Sequence, residues 1–539
     1  MVVMSLASLL LMVFTLAASP QLSEPGITKL SLFATSDQCL ACHNGLVSPS
    51  GEDISIGNEW RPGMMANSAR DPYWQAAVRR ETMDHPKAQA EIENECAACH
   101  MPMMRTQANA GGKKGSVFAH LPVTAAATPE SRMAHDGVSC SLCHQIQPDD
   151  LGSKESFTGG FIVDLRTPPE TRQIFGQYDV DPGRQRVMAS FSSFIPKRAD
   201  HLSGSEACAT CHTLYTHALG PDGKAIGSFP EQVPYLEWQH SAWRGVNSCQ
   251  SCHMTLVQGE TAISSVLGQP RSGFFRHDFL GANFFMPRIF NRYRQELGVT
   301  ALPQELDRAA MRTVEHLREK SARLEILEAR READRLEVQV AVQSQAGHKL
   351  PTAYPSRRVW IHLAIQDGEN KMVFESGKLR SDGSIEGNDN DRNPLGYEPH
   401  YQKIDSPEQV QIYEAIMGDA EGAVTTGLLK AIRYLKDNRI LPQGFDKNTA
   451  PADVAVHGSA ARDEDFLGGQ DVVQYSIPLA GAAGPFKVEI ELYYQPIAYR
   501  WAQNLAARQS AETDRFVRLY RDMAPASGAL LAHASHLVR

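Results

Sequence analysis

Residues 132–146 read RMAHDGVSCSLCHQI. Cys140 and Cys143 stand two residues apart, His144 follows at once, and His135 lies five residues upstream. Taken alone, the pair fits a redox dithiol, half of a zinc site or a haem anchor. The other cysteines decide. The chain has 10, and all fall in five copies of one pattern: CLACH (39–43), CAACH (96–100), CSLCH (140–144), CATCH (208–212) and CQSCH (249–253).

A thioredoxin-like dithiol would be single, within a βαβ pattern, and would not carry a histidine after every pair. Structural zinc takes four ligands, so five pairs leave one unmatched. A disulfide framework belongs to small secreted domains, not to a chain of 539 residues. C-x-x-C-H is the c-type haem attachment pattern. Two thiols add to the vinyl groups on one porphyrin edge, and the adjacent histidine reaches the iron from one face. Cys39, Cys42, Cys96, Cys99, Cys140, Cys143, Cys208, Cys211, Cys249 and Cys252 are therefore the expected anchors of five covalent haems c. His43, His100, His144, His212 and His253 are the expected proximal ligands.

The formal charge is −9, from 53 basic and 62 acidic residues mixed along the chain, so no nucleic-acid surface is expected. MVVMSLASLLLMVFTLAASP at the start has an apolar core ending in small residues, so residues 1–18 read as a signal peptide cleaved after Ala17 or Ala18. No later segment is apolar enough to span a bilayer. Export to the periplasm or cell surface is the expectation; the oligomeric state is not legible.

The chain divides in texture. Residues 36–300 read as a pentahaem domain of short helices and long loops, with helices near 71–85 and 87–100. PQELDRAAMRTVEHLREKSARL (303–324) predicts a helix, so 301–324 reads as a connector. Beyond it, cysteine is absent and period-two alternation dominates: RLEVQVAVQS (335–344), RRVWIHLAIQD (357–367), KMVFESG (371–377), DVVQYSIPLA (471–480) and FKVEIELYYQP (486–496). DGEN (367–370) predicts a hairpin turn. Residues 325–498 thus read as a sandwich-like β-rich domain, with a helix inserted at GLLKAIRYLKD (427–437) and a helical tail at 499–539. The expected fold class is α+β and multidomain.

Each haem iron has a second axial position, usually filled by His or Met where electrons are only relayed. Of 19 histidines, 12 lie between residues 39 and 277. His85, His120, His135, His201, His217, His240 and His277 stand outside the motifs, and His348 in GHKLPT is an eighth contender. His135, tethered so close to Cys140, is expected to serve a neighbouring haem if it ligates at all. EWRPGMMAN (59–67) and EWQHSAWRG (237–245) are internal echoes, each starting Glu-Trp; Met65 in the first is a thioether candidate. SDGSIEGNDNDRN (381–393) offers Asp382, Asp389 and Asp391 to calcium, with a solvated turn as the plainer reading.

Five CxxCH motifs with histidines between them resemble the multihaem c-type cytochrome superfamily, which includes pentahaem nitrite reductase and octahaem hydroxylamine oxidoreductase. The resemblance covers about residues 36–280 and implies a mostly α-helical domain with haems packed in close pairs. The nitrite reductase carries its catalytic haem on CxxCK, whereas all five motifs here end in histidine. AGHKLPTAYPSRRVW (346–360) also resembles the start of a β-domain fused to bacterial multihaem cytochromes. The expected function is an exported pentahaem cytochrome relaying electrons to or from a redox partner protein or a membrane electron-transfer complex. The alternative is an oxidoreductase acting on a small nitrogen or sulfur species at one open iron, with Arg61, Arg105, Tyr215 and His217 as polar helpers.

Overall fold

The computed structural model describes residues 31–123 and 128–539; the expected signal segment lies outside them. Among the described residues no helix is long and apolar enough to cross a membrane.

The N-terminal half is built from short helices, loops and three two-stranded β pairs, and every CxxCH motif starts on a helical turn: Ser36–Leu40, Gln89–His100, Cys140–Cys143, Ser205–His212 and Cys249–His253. The reason is spacing. Residues three and four apart share a helix face, so both cysteines and the histidine point the same way. The predicted helix near 71–85 forms as Pro72–Asp84. Asp71 caps it by accepting the Tyr73 N–H (2.8 Å) and Trp74 N–H (3.3 Å), and Pro72 occupies the first turn, where no amide hydrogen is needed.

The C-terminal half holds two sheets. Its strands are β1 (Ala322–Glu332), β2 (Arg335–Ser344), β3 (Arg358–Gln366), β4 (Met372–Ser376), β5 (Lys403–Ile404), β6 (Ile412–Gly418), β7 (Val424–Thr425), β8 (Arg433–Asp437), β9 (Gln470–Pro478), β10 (Phe486–Gln495) and β11 (Ala529–Val538). One sheet runs β7-β6-β3-β10-β11, with β4 on β3 and β8 on β6; the other runs β5-β9-β2-β1. Leu336, Val338, Val340 and Val342 of β2 alternate inward and join one apolar cluster with Ile361, Leu363 and Ile365 of β3 and Val488, Ile490 and Leu492 of β10. This is the sandwich that alternation predicts. The same cluster continues through Tyr73, Phe284, Phe290 and Phe516, so one core joins the sandwich to the helices.

Three expectations need correction. GLLKAIRYLKD is not a helix. Leu428, Ala431, Ile432 and Leu435 mimic helical spacing, but Arg433–Asp437 pairs antiparallel with β6. Lys436 is buried there, its Nζ 3.0 Å from Glu414 Oε1 and 2.8 Å from the Ile412 carbonyl. Pairing and burial outweigh local propensity. The tail is α-helical only at Tyr499–Leu505 and Ala511–Met523; Ala529–Val538 closes the large sheet against β10. Finally, the connecting helix stops at Lys320, and Ala322 already begins β1.

Candidate functional site

None of the 10 cysteines is paired in a disulfide. The motifs cluster: Cys39 lies within hydrogen-bonding reach of Cys140, Cys99 of Cys211, and Cys208 of Cys249. Groups attached to these neighbours would lie side by side.

The motif histidines share one device. The Nδ1–H donates to a backbone carbonyl at four of them: His43 to Ile263 (2.6 Å), His100 to Ser68 (3.1 Å), His144 to Phe175 (2.6 Å) and His253 to Leu280 (2.5 Å). A carbonyl only accepts, so each tautomer is set with Nε2 bare and available to a metal. Trp74 stacks on the His100 ring at 4.4 Å and 4°, fixing its plane. Burial pushes the His100 imidazole down to about 4, so it is neutral, as a ligand must be. His212 makes no side-chain hydrogen bond among the described residues. Cysteines outside any disulfide, bare Nε2 atoms at four motif histidines and five identical spacings fit five covalently held haems.

Two of the eight further histidines face motif histidines. The His144 and His277 rings are 6.3 Å apart and 22° from coplanar; those of His253 and His348 are 6.1 Å apart and within 6°. Bonds of about 2 Å from one metal to an imidazole on each side would hold ring centroids about 6 Å apart. His348 donates its Nδ1–H to the Lys349 carbonyl (3.0 Å), the arrangement seen at the motifs. The His277 Nδ1 is buried without a partner, and its pKa falls to about 3 through burial and the nearby His144 and His43.

The others are placed differently. His135 is buried, and its Nε2–H donates to the His120 carbonyl (2.7 Å); His201 donates Nε2–H to Ile146 (2.8 Å). Both keep only Nδ1 for a metal. His120 meets Ser131 Oγ at 3.0 Å. His85 is buried with an unpartnered Nε2 at the end of the Pro72–Asp84 helix. His217 and His240 are exposed, the latter edge-on to Phe445. Met65 packs its carbonyl against Val138 N–H (2.9 Å), just before CSLCH.

Sequence reading missed His316, whose ring lies 6.0 Å from His253 at 50°. Its helix reads as an amphipathic connector, and the only signal available was a histidine flanking the buried stripe of Thr313, Val314 and Leu317.

The proposed polar helpers are not gathered. Arg61 pairs with Glu305 (2.6 Å), Tyr215 donates to Asp453 (2.5 Å), and the Arg105 side chain packs against Gly115. Nor are the calcium candidates. Asp382 accepts from Ser384, Asp389 pairs with Arg392 (3.0 Å), and Asp391 is spent on Arg358 (2.9 Å) and the Ile385 N–H (2.7 Å). This is a satisfied turn rather than an oxygen cage.

His400, Asp463 and Asp471 do converge, all buried. Yet His400 Nδ1 accepts from Gln411 Nε2 (2.9 Å) and Asn438 Nδ2 (3.1 Å). Both amides are oriented by backbone donors, Tyr401 N–H to Gln411 Oε1 and Glu414 N–H to Asn438 Oδ1. Nε2 therefore carries the proton toward Asp463 (3.1 Å), which suits a polar network and not a metal ligand.

A buried ionic network sits beside His348. Lys349 Nζ is 2.7 Å from Asp437, Arg439 bridges Asp437 and Glu237 at 2.8 Å each, and Glu237 also accepts the Lys349 N–H (3.1 Å) and Thr352 hydroxyl (2.5 Å). Burial opposes ionisation of Asp437, but Arg439 and Lys349 outweigh it and hold its carboxyl well below the usual range.

The fold is that of a multihaem cytochrome. Specifically, the chain is similar to the structure of a penta-heme cytochrome c552 from Thermochromatium tepidum, with a TM-score of 0.50 and 14% sequence identity over 94% of this chain and 100% of that one. No protein-family model matches, and no curated protein matches either.

Proposed function

We propose that this chain is an exported c-type cytochrome with five covalently attached haems that relays electrons to or from a redox partner, either a protein or a membrane complex. One observation carries the reading: five CxxCH turns each bring two thiols and an imidazole together, and at four of them the imidazole Nδ1–H is spent on a backbone carbonyl. When bound, haem c supplies a one-electron iron couple. The chain's residues do the rest. The cysteines anchor each porphyrin edge as thioethers, and the five motif histidines would take the proximal seats. At His43, His100, His144 and His253 the Nδ1–H···O=C bonds fix the rings and raise the basicity of Nε2. Adjacent motif thiols support haems close enough for passage from one to the next, and burial around the rings tunes their potentials. His277 and His348 are the favoured distal ligands.

A pyridine haemochrome assay on the purified protein should return five haems c per chain, with no thiol left to titrate. Low-spin ferric spectra unchanged by cyanide or nitrite are expected. A high-spin component that shifts with nitrite would replace the relay with an oxidoreductase.

A further inference from the structure

The two Glu-Trp echoes repeat more than letters. Trp60 Nε1–H donates to the Val138 carbonyl (3.1 Å), two residues before Cys140. Trp238 Nε1–H donates to the Asn247 carbonyl (3.0 Å), two residues before Cys249. Each indole thus pins the approach to one motif, CSLCH or CQSCH. The preceding glutamates pin the opposite side. Glu59 is buried and accepts the backbone N–H of His277 (3.1 Å), while Arg276 binds its carboxylate. Glu237 is fully buried and accepts the backbone N–H of Lys349 (3.1 Å), next to His348, while Arg439 binds its carboxylate. In both copies a dipeptide at the end of a short helix (Ile56–Trp60, Pro234–Gln239) holds a motif with one side chain and, with the other, a backbone N–H at the facing histidine: that of His277 itself in the first copy and that of Lys349, one residue after His348, in the second.

We infer that Glu59-Trp60 and Glu237-Trp238 are equivalent positioning clamps, each setting the spacing of one axial histidine pair: His144 with His277, and His253 with His348. The inference deepens the haem reading and rests on it. The clamp also decides between the two histidines near His253. His348 is anchored through Glu237 and lies parallel to His253, so it takes the seat; His316, tilted by 50° and outside the clamp, does not.

The test uses the full-length holoprotein, with haems counted first and spin states read by electron paramagnetic resonance. Glu237→Ala and His348→Ala should each convert one ferric haem to high-spin, and the double variant still only one, because both act on the same iron. Glu59→Ala and His277→Ala should behave likewise. Glu59→Ala with Glu237→Ala should convert two. Glu→Gln, which keeps the acceptor oxygen, should retain low-spin signals, and His316→Ala should change nothing. Five low-spin haems in both glutamate-to-alanine variants would overturn the clamp, as would two high-spin haems in Glu237→Ala with His348→Ala, or one in His316→Ala. If the alanine variants do not fold, Trp60→Phe and Trp238→Phe read the same point: each should shift the signal of a different haem, and a shared or absent shift refutes the pairing. A wild-type chain lacking five covalent haems would sink the haem reading itself, a result distinct from any of these.

Discussion

Asp437→Asn tests the ionic network that seats the loop carrying His348. In the native chain two buried cations, Lys349 and Arg439, face two buried carboxylates, Asp437 and Glu237. Asparagine leaves two cations to one carboxylate, a net positive charge where all four groups are nearly sealed from water. Breaking a buried pair from one side costs about 3–5 kcal/mol, and this is the expected loss by urea unfolding at neutral pH. The double variant Lys349→Met with Asp437→Leu removes one charge of each sign and leaves Arg439 matched to Glu237, so it should lose much less than Asp437→Asn. The pH dependence follows from the depressed carboxyl. A folded pKa below the unfolded value of about 3.9 contributes stability that is fully present above that value and lost as pH falls through the folded pKa. The gap between wild type and Asp437→Asn should stay constant from pH 8 to about 5 and narrow only below about 4. A gap under about 1 kcal/mol, or one that widens on acidification, would refute the reasoning.

Other outcomes follow from particular residues. Gly137 has φ of +63°, and a Cβ there would lie 2.5 Å from the Met65 carbonyl; Gly137→Ala should cost at least about 2 kcal/mol, read as a lowered Tm. Glu231 is buried, and burial, with Glu81 nearby, raises its carboxyl to about 7. Because the folded chain keeps a proton that the unfolded chain releases above about 4.3, stability should fall as pH rises from about 4 to about 7. Glu231→Gln should remove that slope and gain up to about 4 kcal/mol at pH 8, measured by urea melts across that range. Truncation before Ala529 strips β11 from the edge of β10 and uncovers its buried partners, so the shortened chain should be digested rapidly by protease; resistance equal to wild type would contradict the strand.

The helix assignment at 427–437 failed for the same reason that the distal histidines were ambiguous. Local spacing in GLLKAIRYLKD is compatible with a helix, and only β6 alongside, with Glu414 waiting for Lys436, makes it a strand. The five strands read from period two formed, because alternation records which face is buried whichever strand lies next door. Likewise ALLAHASHLV was absorbed into a tail, although its pairing with β10 runs from Ala529 to Val538.

The CxxCH groupings were legible because each is contiguous: two thiols and an imidazole within one helical turn need no other part of the chain to be brought together. The opposite axial seats are not contiguous. Which of His85, His120, His135, His201, His217, His240, His277, His348 and Met65 faces a motif depends on where remote segments pack. His277 and His348 face motif histidines while His217 and His240 stay at the surface. The Glu-Trp echoes lie between these cases. Sequence alone marked them as repeats, but their shared geometry exists only once each indole reaches its motif and each carboxylate reaches a backbone N–H far along the chain. Covalent spacing is local, whereas hydrogen-bond partners and burial are set by the closing of the core.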